Sequence, residues 1–293
     1  MTAFDEFAYL DEEAEEVGAT VRLPVRRVAT TTPSGLVHSL VWGSDPDVTF
    51  VHGAGLNAHT WDTTLLALGR SAVVVDLPGH GDSDWRDDFD YSPATNAEAV
   101  AAVISDVAQD APQVIVGQSL GGLTGVALAI SSPQLVRALV LVDVSPGLRE
   151  GDAKQVRDFL AGPLVFDSRD QIVESALAAG IGNDRHKLER GVVLNTRVRE
   201  DGKVVFKHHL AAPPRDVGPQ PDITALWPGL EGTTIPVLLV RATAGFLSSE
   251  VVDEFRTRVP RAQIVELESG HNVQEQKPRD LADAINAFLA AVD

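Results

Sequence analysis

A serine lies between two glycines in Gly117-Gln118-Ser119-Leu120-Gly121. This stretch directly follows the apolar run Val114–Val116 and precedes a helical pattern at Leu123, Val126, Ala127 and Ile130. In that strand–turn–helix context, G-x-S-x-G describes a nucleophile on a sharp turn, its hydroxyl exposed above a sheet. Small residues two before and two after let strand and helix approach each other. The helix start leaves free N–H groups and the positive end of the helix dipole beside the hydroxyl. The chemistry such a serine would do is attack on an acyl carbon, with a covalent intermediate.

That hydroxyl needs a base. Of the eight histidines, His271 is the one placed for it. It sits in the loop Glu268–Asn272, after a strand over Gln263–Leu267 and before a last helix from about Pro278 to Ala291. A histidine there can swing over the sheet edge toward Ser119, acting as general base. His80, in the turn of Asp76-Leu77-Pro78-Gly79-His80-Gly81-Asp82-Ser83, reads as a loop-fixing residue instead. Charge developing on a substrate oxygen calls for backbone N–H donors. The residue after the nucleophile, Leu120, offers one. Ala54 offers the other, in His52-Gly53-Ala54-Gly55 after the strand Val48–Val51, where flanking glycines permit close approach.

The carboxylate that would orient His271 is less plainly written. Asp143 ends the buried run Ala138–Val142. Glu250 and Asp253 fit the first turn of a later helix, after Ser248 or Ser249 as N-cap. The loop Arg241–Leu247, after the strand Pro236–Val240, has no acid.

Taken together, the segments 52–55, 76–83, 117–121 and 270–271 resemble the α/β-hydrolase fold superfamily over roughly residues 25–293, and within it the capped serine esterases related to epoxide hydrolases. The resemblance implies an α/β fold: a mostly parallel sheet flanked by helices, with an inserted lid. It also implies a triad of Ser119, His271 and an acid. Many relatives carry the acid just after the next-to-last strand. Some, dehalogenases among them, take it from the strand after the elbow helix, which favours Asp143 here over Glu250 or Asp253. A dyad without a carboxylate is the remaining option. The expected reaction is hydrolysis of a small carboxylic ester, thioester or lactone through an acyl-enzyme. The alternatives are a retired hydrolase that only binds ligand, and a C–C bond hydrolase or lyase. Epoxide hydrolases and haloalkane dehalogenases use an aspartate nucleophile, so Ser119 argues against both activities.

These motifs must be held by a scaffold. From Val25 to Val144, buried runs and helical patterns alternate, as in a parallel sheet covered on both faces. The pattern resumes at Pro236. The expected division is an acidic arm at 1–24, a core of 25–146 and 235–293, and an inserted cap at 147–234. The insert is too long for a loop. Within it, Val156–Leu160 and Gln171–Ala179 read as helices. Asp201-Gly202 reads as a hairpin turn between Val192–Glu200 and Lys203–His208. Pro213-Pro214, Pro219–Pro221 and Trp227-Pro228 read as an extended return to the core. Residues 1–20 carry Asp5, Glu6, Asp11, Glu12, Glu13, Glu15 and Glu16 and no base, so the stretch reads as a solvated helix or frayed arm.

Composition narrows the class. A chain of 293 residues, 44% hydrophobic and 23% charged, can bury a sizeable core. A net charge of −18 argues against nucleic acid and anionic membranes as partners, and the resemblance implies a small-molecule substrate. With no cysteine there is no thiol catalysis and no zinc–cysteine site. His208 and His209 are adjacent and would point to opposite faces of a strand, so no metal site is expected. No phosphate-binding or dinucleotide loop is present, so no cofactor is expected. No secretory leader and no membrane-spanning run is read, and the expected compartment is the cytoplasm.

Overall fold

The computed structural model describes residues 4–149, 151–152, 154–160, 162–182, 184–210 and 222–292. Its elements alternate through most of the chain. They are α1 Leu10–Val17, β1 Val25–Thr32, β2 Gly35–Trp42, β3 Val48–Val51, α2 Asp62–Leu68, β4 Ala72–Val75, α3 Pro93–Ala108, β5 Gln113–Gln118, α4 Leu120–Ser131 and β6 Val136–Val142. Then follow α5 Lys154–Leu160, β7 Val165–Phe166, α6 Arg169–Ala178, α7 Arg185–Leu194, β8 Thr196–Val198, β9 Val204–Phe206 and α8 Trp227–Gly232. The chain closes with β10 Val237–Ala244, α9 Ser249–Arg258, β11 Gln263–Gly270, α10 Val273–Gln276 and α11 Pro278–Val292.

Eight strands form one sheet in the order β1-β2-β4-β3-β5-β6-β10-β11. β2 runs antiparallel to both β1 and β4, and the other pairings are parallel. The central strands are buried at every residue, which is why they read as unbroken apolar runs rather than alternating ones. One face packs Val100, Val103, Leu128 and Phe255 from α3, α4 and α9. The other packs Trp61, Leu65, Ile285 and Phe288 around α2 and α11. Parallel strands all point their carboxyl ends to one edge, so the loops after β3, β5, β6, β10 and β11 gather there. That edge is where open α/β sheets bind ligands.

Between β6 and β10 the chain leaves this sheet and builds a separate three-stranded sheet, β7-β9-β8, with its own small core of Phe166, Ile172, Val173, Val192 and Val204. The two expected helices of the insert are present as α5 and α6. Other readings there need correction. Val192–Leu194 closes the helix α7, and the hairpin is confined to Thr196–Val198 and Val204–Phe206. Asp184 caps α7 by accepting from His186 and Lys187 N–H, a start signal the strand reading passed over. Trp227-Pro228 is not extended; it opens α8, with Pro228 where the missing N–H is no loss. The Pro213–Pro221 stretch lies outside the described residues.

The acidic arm is solvated on one face only: Asp5, Asp11, Glu12, Glu15 and Glu16 are exposed, while the other face of its helix packs on the core. Ala14 and Val17 of α1 are buried in the core, and Glu13 is only 5% exposed. Bases from distant elements pair with Glu6, Glu12 and Glu16. Arg190 on α7 donates to Glu12 and Glu16 at 2.9 and 2.7 Å, and Arg27 on β1 binds Glu6. His59 lies between Glu6 and Asp62, and these acids hold it charged to about 10 even though burial opposes that. Burial, then the charge of Asp62, pushes Glu13 up to about 8.

This raised value makes stability depend on pH. The folded protein keeps a proton on Glu13 that the unfolded chain releases near its ordinary 4.5, so the stabilisation is complete below that pH and is lost as pH rises toward about 8. The thermal midpoint is therefore expected to fall between pH 5 and 8 (about 3 units). Glu13→Gln, which cannot titrate, should flatten that fall. Equal pH slopes for variant and wild type would count against this account of Glu13.

Candidate active site

Ser119 links β5 to α4 with φ +52° and ψ −120°, outside the regions a non-glycine residue normally occupies. The packing behind it explains both the motif and the strain. A Cβ on Gly117 would lie 2.4 Å from the Gly121 backbone, and one on Gly121 would lie 2.1 Å from the Val51 carbonyl oxygen. The turn is tight because strand and helix backbones are in contact. Ser119 N–H donates to Val142 O at 3.3 Å, and Ser119 O accepts from Gly122 and Leu123. The serine is thus fixed by the neighbouring strand and by its own helix. Leu120 opens α4, so its N–H has no partner within the helix.

The 53–56 turn abuts the serine: a Cβ on Gly53 would stand 3.2 Å from Ser119 Cβ. His52 organises this turn. Its Nδ1–H donates to Gly53 O at 2.8 Å, while its Nε2 accepts from Leu77 N–H at 3.0 Å. Leu56 N–H also donates to Gly53 O, at 3.2 Å. Gly53 C=O and Ala54 N–H belong to one planar peptide and point opposite ways. Pinning that carbonyl therefore aims the Ala54 N–H. Burial depresses the pKa of His52, which keeps the ring neutral, able to donate from one nitrogen and accept at the other. His80 is fully buried and its Nδ1–H donates to Pro78 O at 3.0 Å, a loop-fixing arrangement.

His271 follows β11, which runs to Gly270 rather than ending at Leu267. Its Nδ1–H donates to Asp143 Oδ2 at 2.8 Å. The Phe246 ring stacks on the imidazole, with centroids 3.6 Å apart. Gln118, beside the serine, donates from Nε2 to the His271 carbonyl at 3.4 Å. His271 Nε2 and Ser119 Oγ are not hydrogen-bonded to each other, but both residues line one cavity of ≈ 450 Å³.

Asp143 follows β6 and is fully buried, with φ +49°. Its N–H donates to Val240 O on the adjacent β10 at 2.8 Å. Its carboxylate accepts from Ala242 N–H at 3.1 Å and Phe246 N–H at 2.8 Å, both in the segment after the buried half of β10. The empty acid position in Arg241–Leu247 and the side chain of Asp143 are therefore one place in space, reached from the neighbouring strand. Glu250 and Asp253 lie elsewhere. They are exposed on α9, where Ser248 bonds to Glu250 and holds its pKa down, and Arg256 pairs with Asp253 at 2.5 Å.

Gly245 makes room for this arrangement. A Cβ there would lie 2.1 Å from Asp143 Oδ2. Gly245→Ala should push the carboxylate off His271 and lower kcat by about 10², as sub-ångström misplacement does, with little change in KM. An unchanged kcat would show that Asp143 need not keep this position.

Sequence reading did not identify His52, Gln118 or Phe246 as parts of the site. The histidine before a glycine-rich turn was a usable signal; the other two had none. Metal chemistry has a weak claim. Among the described residues, Glu12, Glu16 and His186 come within ligating distance of one another, but Arg190 already donates to both glutamates.

The alpha/beta hydrolase family matches residues 50–284. The chain belongs to that family. It is 38% identical to esterase Rv0045c of Mycobacterium tuberculosis over 99% of this chain and 97% of that one. A solved structure of that esterase superposes with a TM-score of 0.86, covering 99% of this chain and 100% of the other at 36% identity. Lipase LipV of the same organism is 28% identical over 82% of this chain and 91% of its own length. The structure of E-2-(acetamidomethylene)succinate hydrolase, 24% identical with a TM-score of 0.78 over 91% of this chain and 100% of that one, shares the fold. As a member of the family, the chain is a hydrolase. Among its described residues, no helix is long and apolar enough to cross a membrane.

Proposed function

We propose that this hydrolase cleaves small carboxylic esters, with Ser119 as nucleophile, His271 as general base and acid, and Asp143 as its orienting carboxylate. The observation that carries the reading is the Asp143–His271 hydrogen bond of 2.8 Å. It occupies Nδ1 and leaves Nε2 as the basic nitrogen in the cavity that Ser119 lines. Ser119 Oγ attacks the ester carbonyl as Nε2 takes its proton. The oxyanion is met by the Ala54 and Leu120 N–H groups. Nε2 then protonates the departing alkoxide. Water attacks the acyl-enzyme by the same route in reverse. Similarity to an esterase and a lipase supports this chemistry.

The 147–234 insert supplies the acyl chamber. Phe159, Leu160, Ile172, Val192, Leu194 and Phe206 line the cavity opposite the core residues. Such a lining suits an apolar acyl chain, with the insert acting as a lid that ranks chain lengths. The substrate is a small molecule, and no cofactor enters the mechanism.

The test is a fluorophosphonate probe followed by a nitrophenyl ester series of increasing acyl length. A Ser119 adduct in intact-mass data, absent in Ser119→Ala, is the expected result. Substitution of Leu160 or Phe206 by alanine should shift the preferred chain length. No adduct under conditions that label a control esterase would remove the hydrolytic reading.

A further inference from the structure

The turn that carries the Ala54 N–H is held from two sides, and one of them is the insert. On the core side, His52 and Leu56 N–H pin Gly53 O. On the insert side, Asn195 Nδ2 donates to Gly55 O at 2.6 Å. Asn195 sits at the end of α7, just before β8. Its own place is fixed: its carbonyl accepts from Lys207 N–H at 2.9 Å, and its Oδ1 accepts from Asn57 Nδ2 at 3.3 Å. Asn57 Nδ2 also donates to Leu194 O at 3.2 Å. Leu160, on α5, covers the same turn: a Cβ on Gly55 would meet Leu160 Cδ2 at 2.3 Å.

We propose that Asn195 is a positioning residue for the anion-binding turn, so that the active site is complete only when the insert is seated on the core. The route is a short chain of rigid peptide planes. Gly55 C=O and Leu56 N–H share one plane. Asn195 fixes it at the carbonyl. Its N–H in turn fixes Gly53 C=O, whose plane carries the Ala54 N–H. Gly55 has φ +77°, a conformation that glycine adopts without strain and also leaves readily. Without the Asn195 anchor this plane is held only at its N–H end, and the Ala54 donor keeps its aim through His52 alone, a single contact in place of two. A donor directed at the oxyanion contributes in the transition state more than in the ground state. The loss should therefore appear in kcat rather than in KM. A lid that merely shields the cavity would instead change substrate binding.

This inference rests on the ester-hydrolase reading, and the experiment separates the two. Wild type, Asn195→Ala and Asn195→Asp are compared by steady-state kinetics on a short-chain nitrophenyl ester. Each is also titrated with an alkyl trifluoromethyl ketone, whose Ser119 adduct places an oxyanion in the same pocket. Asn195→Ala should lower kcat by about 10- to 100-fold with KM within about threefold, and weaken the ketone by a matching factor, since misplacing a catalytic group costs up to about 10². Asn195→Asp keeps the size but turns an acceptor toward Gly55 O. It should be at least as impaired as Asn195→Ala, and it supplies the same readout if the alanine variant does not fold. Retained kcat and ketone affinity in either folded variant would overturn the proposal. So would a rise in KM alone, or a kcat loss without weaker ketone binding. If wild type neither turns over the ester nor forms the ketone adduct, the hydrolytic reading itself has failed.

Discussion

Ser119→Ala is expected to lower kcat by about 10⁶ on the best ester, because an efficient serine hydrolase loses nearly all covalent catalysis with its nucleophile. The fold should survive the change. Among the described residues Ser119 Oγ has no hydrogen-bond partner, and Ser119 is held by its backbone, through Val142 O, Gly122 N–H and Leu123 N–H. Alanine at φ +52° meets the same strain as serine. A glycine there would relieve it, so Ser119→Gly should be inactive yet more stable than Ser119→Ala, by up to about 1–3 kcal/mol. Thermal unfolding of the three proteins, beside burst kinetics, checks this. Turnover of Ser119→Ala within a factor of about 10 of wild type would mean that another group does the chemistry.

Asp143→Asn is expected to cost about 10⁴ in kcat, the loss seen when an orienting aspartate becomes an amide. The geometry shows why. Three N–H groups converge on this carboxylate: Ala242 on Oδ1, and Phe246 and His271 on Oδ2. An amide can turn its oxygen to only one side. If its NH₂ faces His271, Nδ1 must become the acceptor and Nε2 carries the proton, so it cannot take one from serine. If its oxygen faces His271, the tautomer survives but the negative charge that stabilises the imidazolium is gone. In either orientation a buried backbone N–H faces a donor, which costs about 1–3 kcal/mol. The thermal midpoint should therefore drop too, by about 2–4 °C for each kcal/mol in a chain of this size. Glu250→Gln and Asp253→Asn, on the exposed start of α9, should each change kcat by less than about tenfold. Collapse in either of those, with Asp143→Asn still active, would move the acid to α9.

Some of this was written locally. The valine-rich strands are legible because burial on both faces leaves no alternation to interrupt them. The Gly117–Gly121 spacing is legible because two backbones must touch at one turn, and only glycine allows that. The proposed roles of Ser119, His271, Ala54 and Leu120 each rest on where a motif sits relative to a strand end. Those signals span a few residues, so the sequence by itself determined the layered α/β fold, the elbow, and the loops that reach the catalytic edge.

Tertiary structure decided what depends on which strands are neighbours. The resemblance favours Asp143 as the acid, but its contact with His271 exists because β6 lies beside β10, so that its side chain fills the loop space left by Gly245. The acidic arm looked solvated on every face because its partners, Arg27, His59 and Arg190, are remote in sequence; charge density says nothing about a counter-charge 174 residues away. The Asn195–Gly55 contact spans 140 residues and has no local pattern at all. A periodicity reports the face that an element buries. It carries no record of which distant side chain will meet that face, and hydrogen bonds between the insert and the core are of this kind.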